Sequence, residues 1–93
     1  METKKAHLWI EGRVQGVFYR AFTRDLALRF GLKGWVKNLP DGRVEAVFEG
    51  PEDKIQEAIK YCWQGPPAAT VTDIKIQWEE PTGEFDGFEI RYY

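Results

Sequence analysis

The apolar residues of this chain change period between two and about four along its length, and the order of those changes leaves few folds open. Residues 6–11 alternate, with Ala6, Leu8 and Ile10 on one side and His7, Trp9 and Glu11 on the other, the pattern of a strand with one buried face. From Tyr19 the spacing becomes helical. Phe22, Leu26 and Phe30 stand at i, i+4 and i+8 with Leu32 close behind, Arg20, Thr23, Arg24 and Asp25 are polar, and Gly31 falls where a left-handed C-terminal cap belongs. Burying three such apolar side chains contributes on the order of 1.5–3 kcal/mol each, so packing more than propensity holds the start of this helix. Gly34–Asn38 is a short apolar-aromatic run, and Arg43–Glu49 alternates with Val44, Ala46 and Phe48 on one face. Between them, Leu39-Pro40-Asp41-Gly42 presets one backbone angle and tolerates a positive φ, which predicts a hairpin. A second helix is expected to open with Pro51 at its first position and Glu52 and Asp53 against its dipole, to carry Ile55, Ala58, Ile59, Cys62 and Trp63 as its apolar stripe, and to stop at Gly65-Pro66-Pro67. Residues 70–79 alternate again, with Thr72, Ile74, Ile76 and Trp78 opposite Val71, Asp73, Lys75 and Gln77, and Phe88–Tyr92 offers a last short strand.

The order is βαββαβ plus a C-terminal strand. Helices with a single apolar face and alternating strands imply an α+β, two-layer sandwich of ferredoxin-like type, its sheet mostly antiparallel and both helices on one side. The 93 residues suit one domain, 1–93. Thirteen basic against fifteen acidic side chains give a net charge of -2, so a broad polyanion-binding face is not expected and any positive site must be local. Cys62, the lone cysteine, allows no intrachain disulfide and no structural zinc site, and a reducing compartment is the default. With no apolar segment of membrane-spanning length and no signal-like start, the expectation is a soluble cytoplasmic monomer without a membrane or nucleic-acid partner. No His, Asp and Glu cluster has metal-site spacing; His7 reads as a half-exposed structural residue, and Glu79, Glu80, Glu84 and Asp86 read as a solvated acidic end.

Chemistry concentrates in Gly12-Arg13-Val14-Gln15-Gly16-Val17-Phe18-Tyr19-Arg20. This stretch leaves a strand, turns through two glycines and enters a helix, so successive backbone N–H groups can converge on one anion. Arg20 would add a fork of donors suited to phosphate. Taken alone, the same residues could also merely serve a tight strand-to-helix turn with a solvated arginine. Asn38, at the end of an apolar strand, has two readings as well: a turn former before Pro40, or an uncharged carboxamide that holds a water and points its lone pair at an electrophile.

Taken together, Gly12-x-Val14-Gln15-Gly16-Val17-x-Tyr19-Arg20 and Gly34-Trp35-Val36-Lys37-Asn38-x-x-x-Gly42-x-Val44, with Gly50 beyond, resemble both signatures of the acylphosphatase family. No signature position departs from the pattern, and the likeness runs over essentially the whole chain. The resemblance implies hydrolysis of the carboxyl–phosphate anhydride of an acyl phosphate to a carboxylate and inorganic phosphate, without a metal or other cofactor. It implies Arg20 and Asn38 as the catalytic pair and Gln15, Gly16, Val17, Phe18, Tyr19 and Arg20 as the phosphate cradle. An acyl phosphate already carries a good leaving group, so positioning and charge stabilisation can suffice.

Other phosphate chemistries fit less well. The glycine turn lacks the Gly-Lys-Ser/Thr ending of a P-loop, and Cys62, mid-stripe in a helix, reads as core packing instead of a thiolate nucleophile. Two rivals of other classes stand beside hydrolysis. Single-stranded RNA-binding domains share the strand order, but here the third strand carries Glu45 and Glu49 where basic and aromatic residues would be required. A non-catalytic interaction or carrier module is the second, since related modules occur inside hydrogenase-maturation carbamoyl-transfer enzymes; Trp9, Trp35, Tyr92 and Tyr93 could form its partner surface.

Overall fold

The computed structural model describes residues 2–92; Tyr93, one of the aromatics expected at the surface, lies outside that range. The elements are β1 (Thr3–Arg13), α1 (Tyr19–Phe30), β2 (Lys33–Asn38), β3 (Val44–Pro51), α2 (Glu52–Gln64), β4 (Thr70–Glu79) and β5 (Phe88–Arg91). One five-stranded sheet runs in the order β4-β1-β3-β2-β5. β1 pairs antiparallel with β3 and β4, β2 pairs antiparallel with β3, and only β5 joins parallel, along the outer edge of β2. This is the ferredoxin-like sandwich that the periodicity predicts.

The alternating residues fill one core. Ala6, Leu8 and Ile10 from β1, Val36 from β2 and Val44, Ala46 and Phe48 from β3 pack with Leu26, Ala27, Ile55, Ala58 and Cys62 from the two helices. α1 lies against β2, β5 and α2, and α2 lies against β3, β4 and β1. Gly31 closes α1 in the left-handed conformation, with Leu32 N–H donating to Ala27 C=O at 2.8 Å, so α1 ends where the glycine predicts. The predicted hairpin is present: Leu39 N–H donates to Arg43 C=O at 2.8 Å, and the Asp41 carboxylate accepts from the Arg43 amide at 3.1 Å. That bond from the Arg43 amide holds the Asp41 carboxyl below the usual carboxylate range.

Several expectations of burial need correction. Pro51 is the N-cap of α2 and not its first residue. Trp63, Ile76 and Trp78 are exposed by 45%, 38% and 43%, because β4 is an edge strand and among the described residues no further strand pairs with its outer edge. Thr23, polar in sequence, is fully buried; its hydroxyl donates to Tyr19 C=O at 2.9 Å and so takes no unpaired polar group inside. Phe22 and Phe30 only flank the core.

The helix-free face of the sheet is also structured. The His7 ring stacks on Trp9 at 4.0 Å and its Nε2 lies 2.6 Å from Glu45. Lys37 and Arg91 sit over Trp35 at 5.3 Å and 4.9 Å. Trp9 and Trp35 are thus half-buried and engaged by their neighbours, not free aromatic plates. The acidic end is tied down rather than wholly solvated: Lys5 lies 3.5 Å from Glu79 and 3.7 Å from Glu84. Glu49, 6% exposed, accepts the Thr82 and Gly83 amides at 2.9 Å and 3.0 Å and clamps the β4–β5 loop to the sheet.

Candidate active site

Where β1 hands over to α1, the backbone turns left-handed twice. Gly16 has φ 74°, and Phe18, the one described non-glycine residue with positive φ, has φ 65° and ψ 24°. Phe18 is the N-cap of α1, and Phe22 N–H, bonded to Phe18 C=O at 3.0 Å, starts the helical ladder. The amides ahead of it have no intrahelical partner. No side chain caps this end and no acidic residue stands in its first turn, whereas α2 places Glu52 and Asp53 in its own first turn. α1 instead puts Arg20 there, a cation at the positive end of a helix dipole, which by itself opposes helix stability by about 0.3–1 kcal/mol. One helix start is neutralised by its own acids and the other is left doubly positive. A helix start left positive in this way suits an anion.

Three contacts fix this turn. Gln15 Nε2 donates to Leu39 C=O at 2.7 Å and to Arg43 C=O at 2.9 Å, tying the turn to both ends of the β2–β3 hairpin. Tyr19 is buried and donates its hydroxyl to Cys62 C=O at 2.6 Å, which pins the first turn of α1 on α2; burial pushes the Tyr19 hydroxyl far above its ordinary range. Val17 is 5% exposed and packs in the core. The Gln15 clamp sets Asn38, at the end of β2 and one residue before Leu39, beside the turn.

The result is a cavity of about 270 Å³ whose wall includes Gly16, Phe18, Tyr19, Arg20 and Asn38. Arg20 and Asn38 therefore face one space. Of the six residues expected to form a cradle, Gly16, Phe18, Tyr19 and Arg20 reach this wall; the side chains of Gln15 and Val17 are turned away, into the hairpin clamp and the core. The wall also includes residues outside both motifs, Ile90 and Tyr92, with Tyr92 beneath the Arg20 guanidinium at 5.0 Å from the ring centroid. Sequence reading places Phe88–Tyr92 as a strand but has no signal that its end crosses to the glycine turn; the parallel pairing of β5 with β2 puts it there.

The rest of the surface is less suited to phosphate. A depression formed by Lys4, Glu52, Gln56, Glu79 and Glu80 has the wrong sign of charge. Cys62 is fully buried and its thiol is pushed up to about 12 by desolvation, so no thiolate is at hand. Among the described residues, no three His, Cys, Asp or Glu side chains gather as a metal site, and no helix is long and apolar enough to cross a membrane.

The strain at Phe18 is testable. A left-handed non-glycine residue costs about 1–2 kcal/mol, and Phe18, 84% exposed, recovers little of it by burial. Phe18→Gly should therefore raise unfolding stability by about 0.5–1 kcal/mol after allowing for the greater freedom of glycine in the unfolded chain, read as a higher urea midpoint at unchanged slope.

The acylphosphatase family model matches residues 6–90. An acylphosphatase of Pelotomaculum thermopropionicum is 47% identical over 92 residues, covering 99% of this chain and all of that one. The crystal structure of an acylphosphatase from Bacillus subtilis superposes with a TM-score of 0.93 at 38% identity, over 96% of this chain and 99% of the other. HypF from T. kodakarensis contains a similar unit, with a TM-score of 0.83 at 34% identity over 95% of this chain but 12% of HypF. Two signatures meeting at one cavity, and relatives matched from end to end, place this chain in the acylphosphatase family.

Proposed function

We propose that this chain hydrolyses the carboxyl–phosphate anhydride of acyl phosphates by gripping the phosphoryl group and aiming a water at it, with no metal ion and no covalent intermediate. The observation that carries this reading is the shared cavity of Arg20 and Asn38 at a helix start that is left positive. The amides of residues 15–19 and the Arg20 guanidinium hold the phosphoryl oxygens, fixing the group and stabilising charge that spreads over it as the P–O bond to the acyl group lengthens. The Asn38 carboxamide holds the attacking water opposite the leaving group. The water oxygen bonds to phosphorus, the acyl oxygen departs with its electron pair as a carboxylate, and the water proton passes to a phosphoryl oxygen of the substrate. What supports that last assignment is the wall of the cavity, whose described residues include no histidine or carboxylate to act as a base. His7 lies on the far face of the sheet, beside Glu45.

The proposal extends to a cytoplasmic monomer that takes acyl phosphate and releases inorganic phosphate. It disfavours RNA binding, because the helix-free face that would have to stack bases carries Glu45 and Glu79 paired with His7, Lys5 and Lys37. The decisive assay follows loss of benzoyl phosphate absorbance by purified protein in EDTA with inorganic phosphate as a competitor. Turnover should persist under chelation and fall as phosphate is added; a requirement for magnesium would defeat the metal-free scheme.

A further inference from the structure

The two most exposed large apolar side chains among the described residues, Phe18 at 84% and Tyr92 at 79%, stand on the wall of the same cavity. Neither ring is buried by folding. Phe18 moreover occupies an N-cap in the left-handed region, where asparagine would relieve the backbone. A ring kept in solvent at a strained position beside an anion site is available to a ligand. Tyr92 lies over Arg20, hence next to wherever the phosphoryl group is held, and Ile90 and Val14 continue the apolar wall. Arg20 is the one charged side chain among the described residues of that wall, so a second negative group on the substrate would meet rings instead of a partner.

We infer that Phe18 and Tyr92 form an apolar collar around the phosphate site and take the acyl group, so that aryl and longer-chain acyl phosphates are preferred over acetyl phosphate and over acyl groups bearing their own carboxylate. This rests on the reading of the site as an acyl phosphate hydrolase. The Phe18 ring makes contact at the mouth alone, whereas Tyr92 also carries Arg20, so Phe18 is the position at which selection separates from the phosphoryl grip.

The test compares kcat/KM for benzoyl phosphate, acetyl phosphate and succinyl phosphate in the wild type, in Phe18→Asn, which suits the left-handed backbone, and in Tyr92→Ser. The wild type should favour benzoyl over acetyl phosphate by about tenfold or more, with succinyl phosphate poorest. Losing on the order of 50–60 Å² of apolar contact corresponds to about tenfold in binding. Each variant should thus lower the benzoyl-to-acetyl ratio by up to about tenfold, in Phe18→Asn through KM for benzoyl phosphate, and in Tyr92→Ser on top of a loss shared by all three substrates as Arg20 loses its support. Phe18→Gly gives the same readout should Phe18→Asn fold poorly. A ratio unchanged in these variants, or a wild type that prefers acetyl or succinyl phosphate, overturns the collar while leaving hydrolysis intact; absence of turnover on all three substrates overturns the hydrolase reading beneath it.

Discussion

Arg20→Ala should lower kcat/KM for benzoyl phosphate by about 10³-fold, at the upper end of what one aimed donor contributes, while the folded state becomes no less stable. The two halves of that expectation have the same origin. Arg20 is held by the ring of Tyr92, whereas among the described residues ion pairs engage Arg24, Arg43 and Arg91. Removing a cation from the first turn of α1 also relieves an unfavourable interaction with the helix dipole, so the urea midpoint should hold or rise slightly. Arg20→Lys should recover only part of the rate, since an ammonium cannot present two parallel donors to a phosphoryl group. Asn38→Ala should cost about 10²–10³-fold, mostly in kcat. The two variants part company on inhibition by inorganic phosphate. On the proposed roles, Arg20 gripping the anion and Asn38 holding water, it should weaken sharply without Arg20 and change little without Asn38. Near-wild-type turnover in either purified variant would remove that residue from the reaction.

What the sequence reveals of this site is what repeats locally. Ala6, Leu8 and Ile10, or Ile55, Ala58, Ile59 and Cys62, announce their elements because burial imposes a period on each of them. The turn at Gly16 is legible because glycine there answers a backbone requirement, φ 74°. Tyr92 is not, because its place over Arg20 depends on β5 pairing with β2 across more than fifty residues of chain. Gln15 is half legible: its position belongs to the turn, but its side chain turns to the carbonyls of Leu39 and Arg43, a choice made by the tertiary approach of the hairpin. Trp63, in phase with a buried stripe, is misread because helical phase says nothing about whether the sheet beneath extends far enough to cover it. Glu49 hides in the opposite way, a charge in an alternating strand that a later loop buries by donating Thr82 and Gly83 amides to it.

Gly34→Ala should destabilise the fold by about 3–5 kcal/mol, near the top of the range for single substitutions, and lower the melting temperature by roughly 15–30 °C for a domain of this size. Gly34, the second residue of β2, stands opposite Phe48, has φ 136°, and donates its N–H to Gly87 C=O at 2.9 Å. A methyl group there would sit 1.9 Å from the Val47 carbonyl oxygen, a backbone atom fixed in the sheet that no rotamer change can move. Relief requires β2 to part from β3, and β2 is the strand that delivers Asn38 to the site and carries β5 at its edge. Gly16→Ala separates this effect from backbone strain alone. Gly16 is also left-handed, yet an added methyl meets no atom within 4 Å, so its cost should stay near 1–2 kcal/mol. Thermal unfolding of both variants beside the wild type therefore reads the closeness of β2 and β3 directly: a Gly34→Ala protein that melts with Gly16→Ala would mean that the strands can yield at that point.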